Sequence, residues 1–595
     1  MSMMYVWNYP HDDVAEALVR FDELLADQAT TLSSSFGRAF RHSVKRVGHV
    51  LIGQVDHVDA NGVRGWRSWI DHGTHGIAWS GVCEDYLGTD MDAVATRELH
   101  ETAVHDPARV GNLTGSFVLI SWDEADERVC ITTGDTMCPP LWLVSGVNGW
   151  ACGGRAAPLF RLVGAEAQFD HDSATLFLTS SYHVSGGTFF RGTTRIGTRQ
   201  QLLVRRGAAP TPTEYLSEPA YLLGDAAETL DVGAAARACA EALVARTGRQ
   251  LRYSANPVLE LTGGEDSRCI GAAIYRGGGS LPAYTGGGPG SLEVHIARAL
   301  ADVYGFEHRV DTLEQDRLSV LLAHQDLAKR WLRLSEGLET VRQGLHWERF
   351  FLGALPVFSE DTQFFNGLQT GFPYDVVPAM RSKVLNAAAE TLTHHASARE
   401  LLADAIAATD DVTAAVFGER HHESAWAKVF YWQRRCSIWG YNVMSTKVPI
   451  AWYWLPLVDA TLLRAAVLLM RTGGLPRDFL SSITWQNAPH VASIKYLKDH
   501  ARKGILPRAA SKLWRLTGGR VLRPGRPRSA STFDPQYFVV SSRRPEMWRA
   551  FFDENAYAWK DLIDQRHVFE LIRSNPQSQL LWNLATVELV AQEFF

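Results

Sequence analysis

Two textures of hydrophobic and polar positions divide this chain. From Val47 to Arg206 the apolar residues fall in short β-branched and aromatic runs broken by Gly, Asp and Asn, among them VGHVLIGQV, HGIAWSGV, GSFVLISW, RVCITTGD and GTRQQLLVRR. Runs of this kind, bounded by turn formers, predict strands, so a sheet-dominated domain is expected here. From Gly224 onward the spacing turns helical, rich in Ala and Leu as in Val232 to Arg249, with isolated strands between the helices. Alternating strands and helices imply a doubly wound parallel α/β domain. Between the two textures, Gly207 to Tyr221 (GAAPTPTEYLSEPAY) carries three prolines and no period, which predicts a linker and divides the chain into 1–216 and 217–595.

Length agrees with more than one core, since 595 residues exceed what a single domain usually holds. A formal charge of −6, from 65 acids against 59 bases, argues against nucleic acid or an anionic membrane as general partners. One local exception is 501–528, where nine Lys or Arg residues occur without an acid; it reads as a solvated surface loop or as a contact for an acidic partner protein. The seven cysteines are scattered and form no paired C-x-x-C motifs, so neither a disulfide framework nor a zinc site is expected. The opening MSMMYVWNYPHDD has no basic n-region, and no apolar run approaches the ~18 residues of a membrane span. A cytoplasmic protein is expected.

The chemistry concentrates at one unit. Val258 to Leu261 reads as a buried strand, Thr262, Gly263, Gly264, Glu265, Asp266 and Ser267 as the turn after it, and Arg268 to Tyr275 as a helix. Adjacent glycines let backbone approach a phosphate, and the helix N-terminus offers amide N–H groups to an anion. Asp266 suits a magnesium ion, while Thr262 and Ser267 can donate hydroxyl hydrogen bonds to phosphate oxygens. No Lys follows the second glycine, so this is not the GxxxxGK[ST] loop of kinases and GTPases. A second strand, Leu281 to Thr285, and a third, TQFFNG ending at Asn366 and Gly367, would bring further loops to the same sheet edge. Glu265 reads as a solvent-facing turn residue, and Glu293 as either a site-facing acid or a helix-start carboxylate. His295, His308, His346, His421 and His422 have no Asp or Ser partner at a recognisable spacing and read as core or surface histidines. Trp331, Trp347, Trp426, Trp432, Trp439, Trp452 and Trp454 read mostly as core, with a few available to line an aromatic pocket.

The turn resembles the S-G-G-x-D-S loop of ATP pyrophosphatases, and the chain is similar throughout to the asparagine-synthetase superfamily, which includes β-lactam synthetase and the lasso-peptide cyclases. Leu113 to Trp142 resembles the class II glutaminase strands of that family, and Thr188 to Val204 the strand pair closing that domain. Trp454 to Asp459 (WLPLVD) stands in place of its P-F-L-D motif; Lys495 to Lys498 (KYLK) and Leu506 with Pro507 match its K-x-x-L-R and L-P elements. The resemblance implies an α/β protein: an Ntn-hydrolase-like sheet domain, then a doubly wound parallel ATP-pyrophosphatase domain with a helical C-terminal region. It also implies ATP and Mg2+ as cofactors. Leu261, Thr262, Gly263, Gly264, Asp266, Ser267, Thr285 and Gly367 would bind ATP and its pyrophosphate, with Asp266 and Asp375 on the metal.

The sequence departs from the family in four places. Residue 2 is Ser2 where an active class II glutaminase has a nucleophilic cysteine, so the first domain is expected to be inactive. The region Ser80 to Asp85 only faintly resembles a glutamine-holding loop. The segment Gly367 to Phe372 has no acid until Asp375, and no Glu stands between Lys447 and Pro456. The C-terminal catalytic lysine aligns on Arg515, with Lys512 one turn earlier; these two and Lys495 are the candidate catalytic cations. The implied function is a glutamine-independent ligase: it adenylates a carboxylate, releases pyrophosphate, and passes the acyl group to an amine. Ring closure of a small molecule or peptide carrying both groups, giving a β-lactam or a peptide macrolactam in natural-product (antibiotic) biosynthesis, fits the absence of an ammonia supply. An asparagine synthetase using ammonia and a catalytically degenerate scaffold remain open.

Overall fold

In the computed structural model the chain is α/β, and its strands fall into three sheets. The structure describes residues 3–595 except 10–13, 37–38, 58–62, 64–65, 137, 206–209, 225–230, 288–291, 312–316, 324, 345–361, 369–395, 419–422, 441, 444–451, 474–478, 495–534, 556 and 577.

The first half folds as β1 (Met3–Asn8), β2 (Phe40–Val47), β3 (Val50–His57), β4 (Trp69–Asp71), β5 (His75–Cys83), β6 (Gly115–Asp123), β7 (Arg128–Thr133), β8 (Leu141–Gly146), β9 (Gly149–Gly153), β10 (Thr194–Ile196), β11 (Gln200–Val204) and β12 (Thr213–Glu214). Two antiparallel sheets result, in the orders β10-β8-β9-β1-β3-β2 and β12-β11-β7-β6-β5-β4. Alternation explains how they stack, because successive side chains of a strand point to opposite faces. Val118, Ile120 and Trp122 of β6 join Met4, Val6 and Ile52 between the sheets, whereas Phe117 and Leu119 pack outward with Leu99 and Ala103 of the helix Ala93–His105. On the other outer face, the helix Val14–Phe36 lays Ala17, Phe21, Leu24, Leu25 and Leu32 onto β1 and β3. Gly53 makes that approach possible, since a Cβ there would lie 2.4 Å from Leu25 Cδ1. The product is a four-layer helix–sheet–sheet–helix sandwich.

The sheet texture therefore begins earlier than Val47, and helices interrupt it; the amphipathic period of Val14–Phe36 is the signal that the strand pattern obscured. Thr188 to Val204 also differs from a closing strand pair. It supplies β10 to one sheet, paired with β8, and β11 to the other, paired with β7 and β12.

Chain leaving β12 enters a helix Glu218–Leu223 capped by the Ser217 side chain, whose Tyr221 and Leu222 join the core of the second half. There, β13 (Asn256–Glu260), β14 (Ala283–Gly286), β15 (His308–Asp311), β16 (Thr362–Phe365) and β17 (Trp452–Trp454) form a parallel sheet in the order β15-β14-β13-β16-β17. The helices Asp266–Arg276 and Leu292–Tyr304 make the crossovers, burying Cys269, Ile270, Ala273, Ile296, Ala297 and Leu300. The last helix, Gln579–Phe594, is buried along most of its length and ties back to the first half, with Asn583 Nδ2 donating to Leu178 O at 2.9 Å. Trp331, Trp426, Trp432 and Trp454 are all core. Among the described residues no helix is long and apolar enough to cross a membrane, and all seven cysteines are buried free thiols.

Candidate functional site

The strand order decides where a ligand fits. All five strands are parallel; from β13 the chain adds β14 and β15 on one side and β16 and β17 on the other, so the order of addition reverses between β13 and β16. Loops leaving the carboxyl ends of two such strands diverge and leave a crevice, the usual ligand position of an open parallel sheet. The loop after β13 is Leu261 to Glu265, and the loop after β16 begins at Asn366 and Gly367. These loops meet closely: a Cβ on Gly367 would lie 2.8 Å from Asp266 Cβ and 3.2 Å from Ser267 N. Only glycine fits there without displacing the helix start.

Hydrogen bonds within the turn hold it in shape. Ser267 Oγ accepts from Thr262 N at 3.0 Å and lies 3.1 Å from Thr262 Oγ1, which accepts from Gly264 N at 3.2 Å. Glu265, at the N-cap position, gives the helix no side-chain cap. Instead of facing solvent alone, Glu265 accepts from the Ser481 hydroxyl at 3.2 Å, which anchors the turn to the helix Phe479–Asn487. Thr285 donates to Leu261 O at 2.6 Å and contacts His308 Nε2 at 2.8 Å. Because the Thr285 proton goes to the carbonyl, the His308 nitrogen is the donor to its hydroxyl. Burial lowers the His308 pKa, which favours the neutral ring.

Asp266 is the group without local satisfaction. Its Oδ1 is buried with no hydrogen-bond partner, and burial, with Glu265 adding repulsion, pushes the carboxyl up to about 7. A buried carboxylate is costly unless paired or coordinating a cation. The uncapped helix start attracts anions while Asp266 repels them; a divalent cation between Asp266 and a polyanion resolves that opposition. The donor is a hard carboxylate oxygen, which suits magnesium. Among the described residues no cluster of three or more acids, histidines or cysteines surrounds it, so the ligand itself or water would complete the shell.

The structure thus sets Leu261, Thr262, Gly263, Gly264, Asp266, Ser267 and Gly367 at the carboxyl ends of β13 and β16, with Thr285 buried on the neighbouring β14 and bonded to Leu261. Asp375, Lys495, Lys512, Arg515, Ser2 and the basic stretch 501–528 lie outside the described residues. Asp459 serves the fold, since it caps the helix Ala460–Arg471 and accepts from Arg246 at 3.3 Å. Glu293, in the first turn of its helix, has its pKa raised by burial. His308 was not legible as a partner of Thr285, because they are 23 residues apart in sequence. Register supplies the link: Ala283 pairs with His308, which makes Thr285 its diagonal neighbour on the same face. Asn366, which ends β16, accepts from Leu368 N at 2.8 Å and donates through Nδ2 to Glu260, stiffening the opposite lip.

No family model and no curated protein sequence matches this chain. Among solved structures, the chain is similar to an allosteric regulatory enzyme of purine biosynthesis, at 8% identity and a TM-score of 0.24 over 52% of this chain and 80% of that one. It is also similar to glutamine phosphoribosylpyrophosphate amidotransferase from B. subtilis complexed with ADP and GMP, at 10% identity and a TM-score of 0.23 over 52% of this chain and 65% of that one. Superpositions this loose say nothing of function, which has to be read from the crevice geometry.

Proposed function

We propose that the chain is an ATP-dependent, AMP-forming amide ligase whose nucleotide lies in the crevice between β13 and β16. The observation that carries this reading is the half-buried Asp266 carboxylate at an uncapped helix start, whose Oδ1 is buried with no hydrogen-bond partner and whose Cβ packs close to Gly367 of the neighbouring loop. In this reading Thr262, Gly263, Gly264 and Ser267 hold the β,γ-pyrophosphate, Asp266 and Asp375 hold magnesium, and Thr285 with Gly367 borders the nucleotide. Magnesium, when bound, would neutralise charge on the phosphates.

The reaction balances as two transfers. A substrate carboxylate oxygen attacks the α-phosphorus of ATP and the bond to pyrophosphate breaks. An amine nitrogen then attacks the acyl carbon, AMP leaves, and the amine loses a proton. The part of this chain is to align attacking and leaving oxygens and to stabilise charge on pyrophosphate. Lys495, Lys512 and Arg515 are proposed as the cations that balance the adenylate, and of these only a lysine can act as a base. The helix–sheet–sheet–helix first half supports a glutaminase-like ancestry, and Ser2 in place of cysteine fits a glutamine-independent enzyme. An intramolecular amine, as in β-lactam or peptide macrolactam formation for natural-product biosynthesis, is the proposed acceptor.

The test is calorimetric titration of Mg-ATP into wild type and Asp266→Ala. Binding weakened by ~10-fold or more, at least ~1.4 kcal/mol, is the expected outcome. Equal binding in both proteins removes the proposed role of Asp266. Screening carboxylate–amine substrates should then yield AMP with pyrophosphate; ADP with phosphate would exclude the ligase reading.

A further inference from the structure

The seam between the two halves gathers more arginines than acids. Among the described residues, Arg199 and Arg464 approach it from opposite halves and both lie over the Tyr221 ring, at 5.3 and 5.1 Å. Two acids answer them: Asp135 feels both guanidinium groups, and Glu218 lies 3.7 Å from Arg199. Glu218 is further engaged by Trp432 Nε1 and Gln433 Nε2, each at 2.8 Å.

Arg195 and Arg434 complete the group: Glu218 attracts Arg434 as well as Arg199, whereas the charges that act on Arg195 are those of Cys138 and Arg434. Arg195, in the middle of β10, donates through Nη2 to Ser437 O at 2.9 Å and sits over the Trp142 ring, while its Nη1 is buried with no hydrogen-bond partner. Arg434 donates to Ala405 O at 3.3 Å, and its Nε is likewise buried without a partner. Burial depresses the pKa of both, and Arg434 adds repulsion at Arg195. Both side chains are half-buried, and a buried guanidinium nitrogen without a partner disfavours the folded state, while vacant guanidinium N–H groups match oxyanions in a fixed fork. Arg434 belongs to a ten-residue π-helix, Tyr431–Gly440, far longer than the single π turns that occur at functional positions. Its other end reaches the crevice, where a Cβ on Gly440 would lie 3.1 Å from Leu368 Cδ1.

We propose that Arg195 and Arg434 form an oxyanion-binding subsite in the seam between the halves, which takes a carboxylate or phosphate group of a small-molecule ligand. It is distinct from the Asp266 crevice and stands whether or not that crevice binds ATP. If the ligase reading holds, the subsite anchors an anionic end of the substrate along the π-helix from its reacting end.

The test titrates succinate, and separately inorganic phosphate, into the full-length protein in a zwitterionic low-salt buffer. Wild type is expected to bind one of them, and Arg195→Met and Arg434→Met should each weaken that binding ~10-fold or more. Arg195→Lys keeps the charge without the fork and should fall between. Binding of succinate alone identifies a carboxylate site, and binding of phosphate alone a phosphate site. If wild type binds neither anion, or if the variants bind as wild type does, the proposal fails. Each Met variant removes a buried N–H group that has no partner and should keep or raise the apparent Tm. A lowered Tm with unchanged anion binding would assign the arginines a purely structural role. Should one variant fail to fold, the other and Arg195→Lys carry the comparison. Asp266→Ala should leave anion binding intact, which separates failure here from failure of the nucleotide reading.

Discussion

Asp135, whose Oδ1 accepts from the Thr136 hydroxyl at 2.8 Å, has its carboxyl pushed up to about 6, chiefly by burial. Its unfolded value is ~3.9, so the folded state binds the proton more tightly. The stabilisation from that proton is complete below pH ~4 and is lost as pH rises through about 6. Asp135→Asn keeps the acceptor and cannot ionise. Its apparent Tm relative to wild type should therefore rise between pH ~4 and ~7 and level off above, with a ceiling of roughly 3 kcal/mol. Thermal unfolding across that range checks it, and a constant difference would show that Asp135 is not strained by burial. At this scale the sequence is a good guide to residue type and a poor guide to state. Asp266 was legible as a candidate ligand from T-G-G-E-D-S, but the burial of its Oδ1 and the lack of a partner there depend on helices and loops far away in the chain. Glu265 shows the converse, because its contact with Ser481 spans 216 residues.

At the scale of elements, the crevice depends on how closely two strand ends approach. Gly367→Ala places a methyl within 2.8 Å of Asp266 Cβ, so Mg-ATP binding should fall ~10-fold or more while the far-UV signature of the fold stays. Calorimetry with circular dichroism checks this; unchanged affinity would place the ligand elsewhere. Thr285→Val leaves the Leu261 carbonyl and the His308 donor without their shared hydroxyl, a loss of about 1 to 3 kcal/mol. Chemical denaturation measures it, and His308→Ala should show a smaller loss because the bond to Leu261 O survives. The strand–turn–helix unit itself was readable, since β13 and the helix Asp266–Arg276 follow local pattern. The assignment of Thr188 to Val204 as one strand pair was not, because two adjacent strands can join different sheets and no periodicity records which.

Across the whole molecule, Arg246 is one of several arginines that join the halves. Arg246 on the helix Val232–Tyr253 donates to Glu84 at 2.8 Å, to Val458 O at 2.5 Å and to Asp459 at 3.3 Å, so it binds the first half to the loop after β17. Arg246→Met would leave Glu84 as a buried, uncompensated acid, which typically costs about 3 to 5 kcal/mol, and would take a cation from the partly exposed Asp459. An apparent Tm well below wild type at neutral pH is expected in scanning calorimetry. A Tm within error of wild type would mean that Arg246 does not hold the halves together. Glu84 falls in Ser80 to Asp85, the faint echo of a glutamine-holding loop, and its observed partners Arg246 and Gln250 give it a packing role instead.

What the sequence by itself determined is local. Period-two runs made strands, 3.6-residue periods made helices, and paired glycines before Asp266 marked a turn suited to phosphate, because each depends on residues within a few positions of one another. The tertiary structure alone decided which strands neighbour which. The reversal between β13 and β16 sets the loops after them side by side, the β14–β15 register sets His308 against Thr285, and the seam leaves Arg195 Nη1 and Arg434 Nε without hydrogen-bond partners. Those outcomes rest on contacts between residues far apart in the chain, where burial sets the electrostatics and no short pattern can encode it.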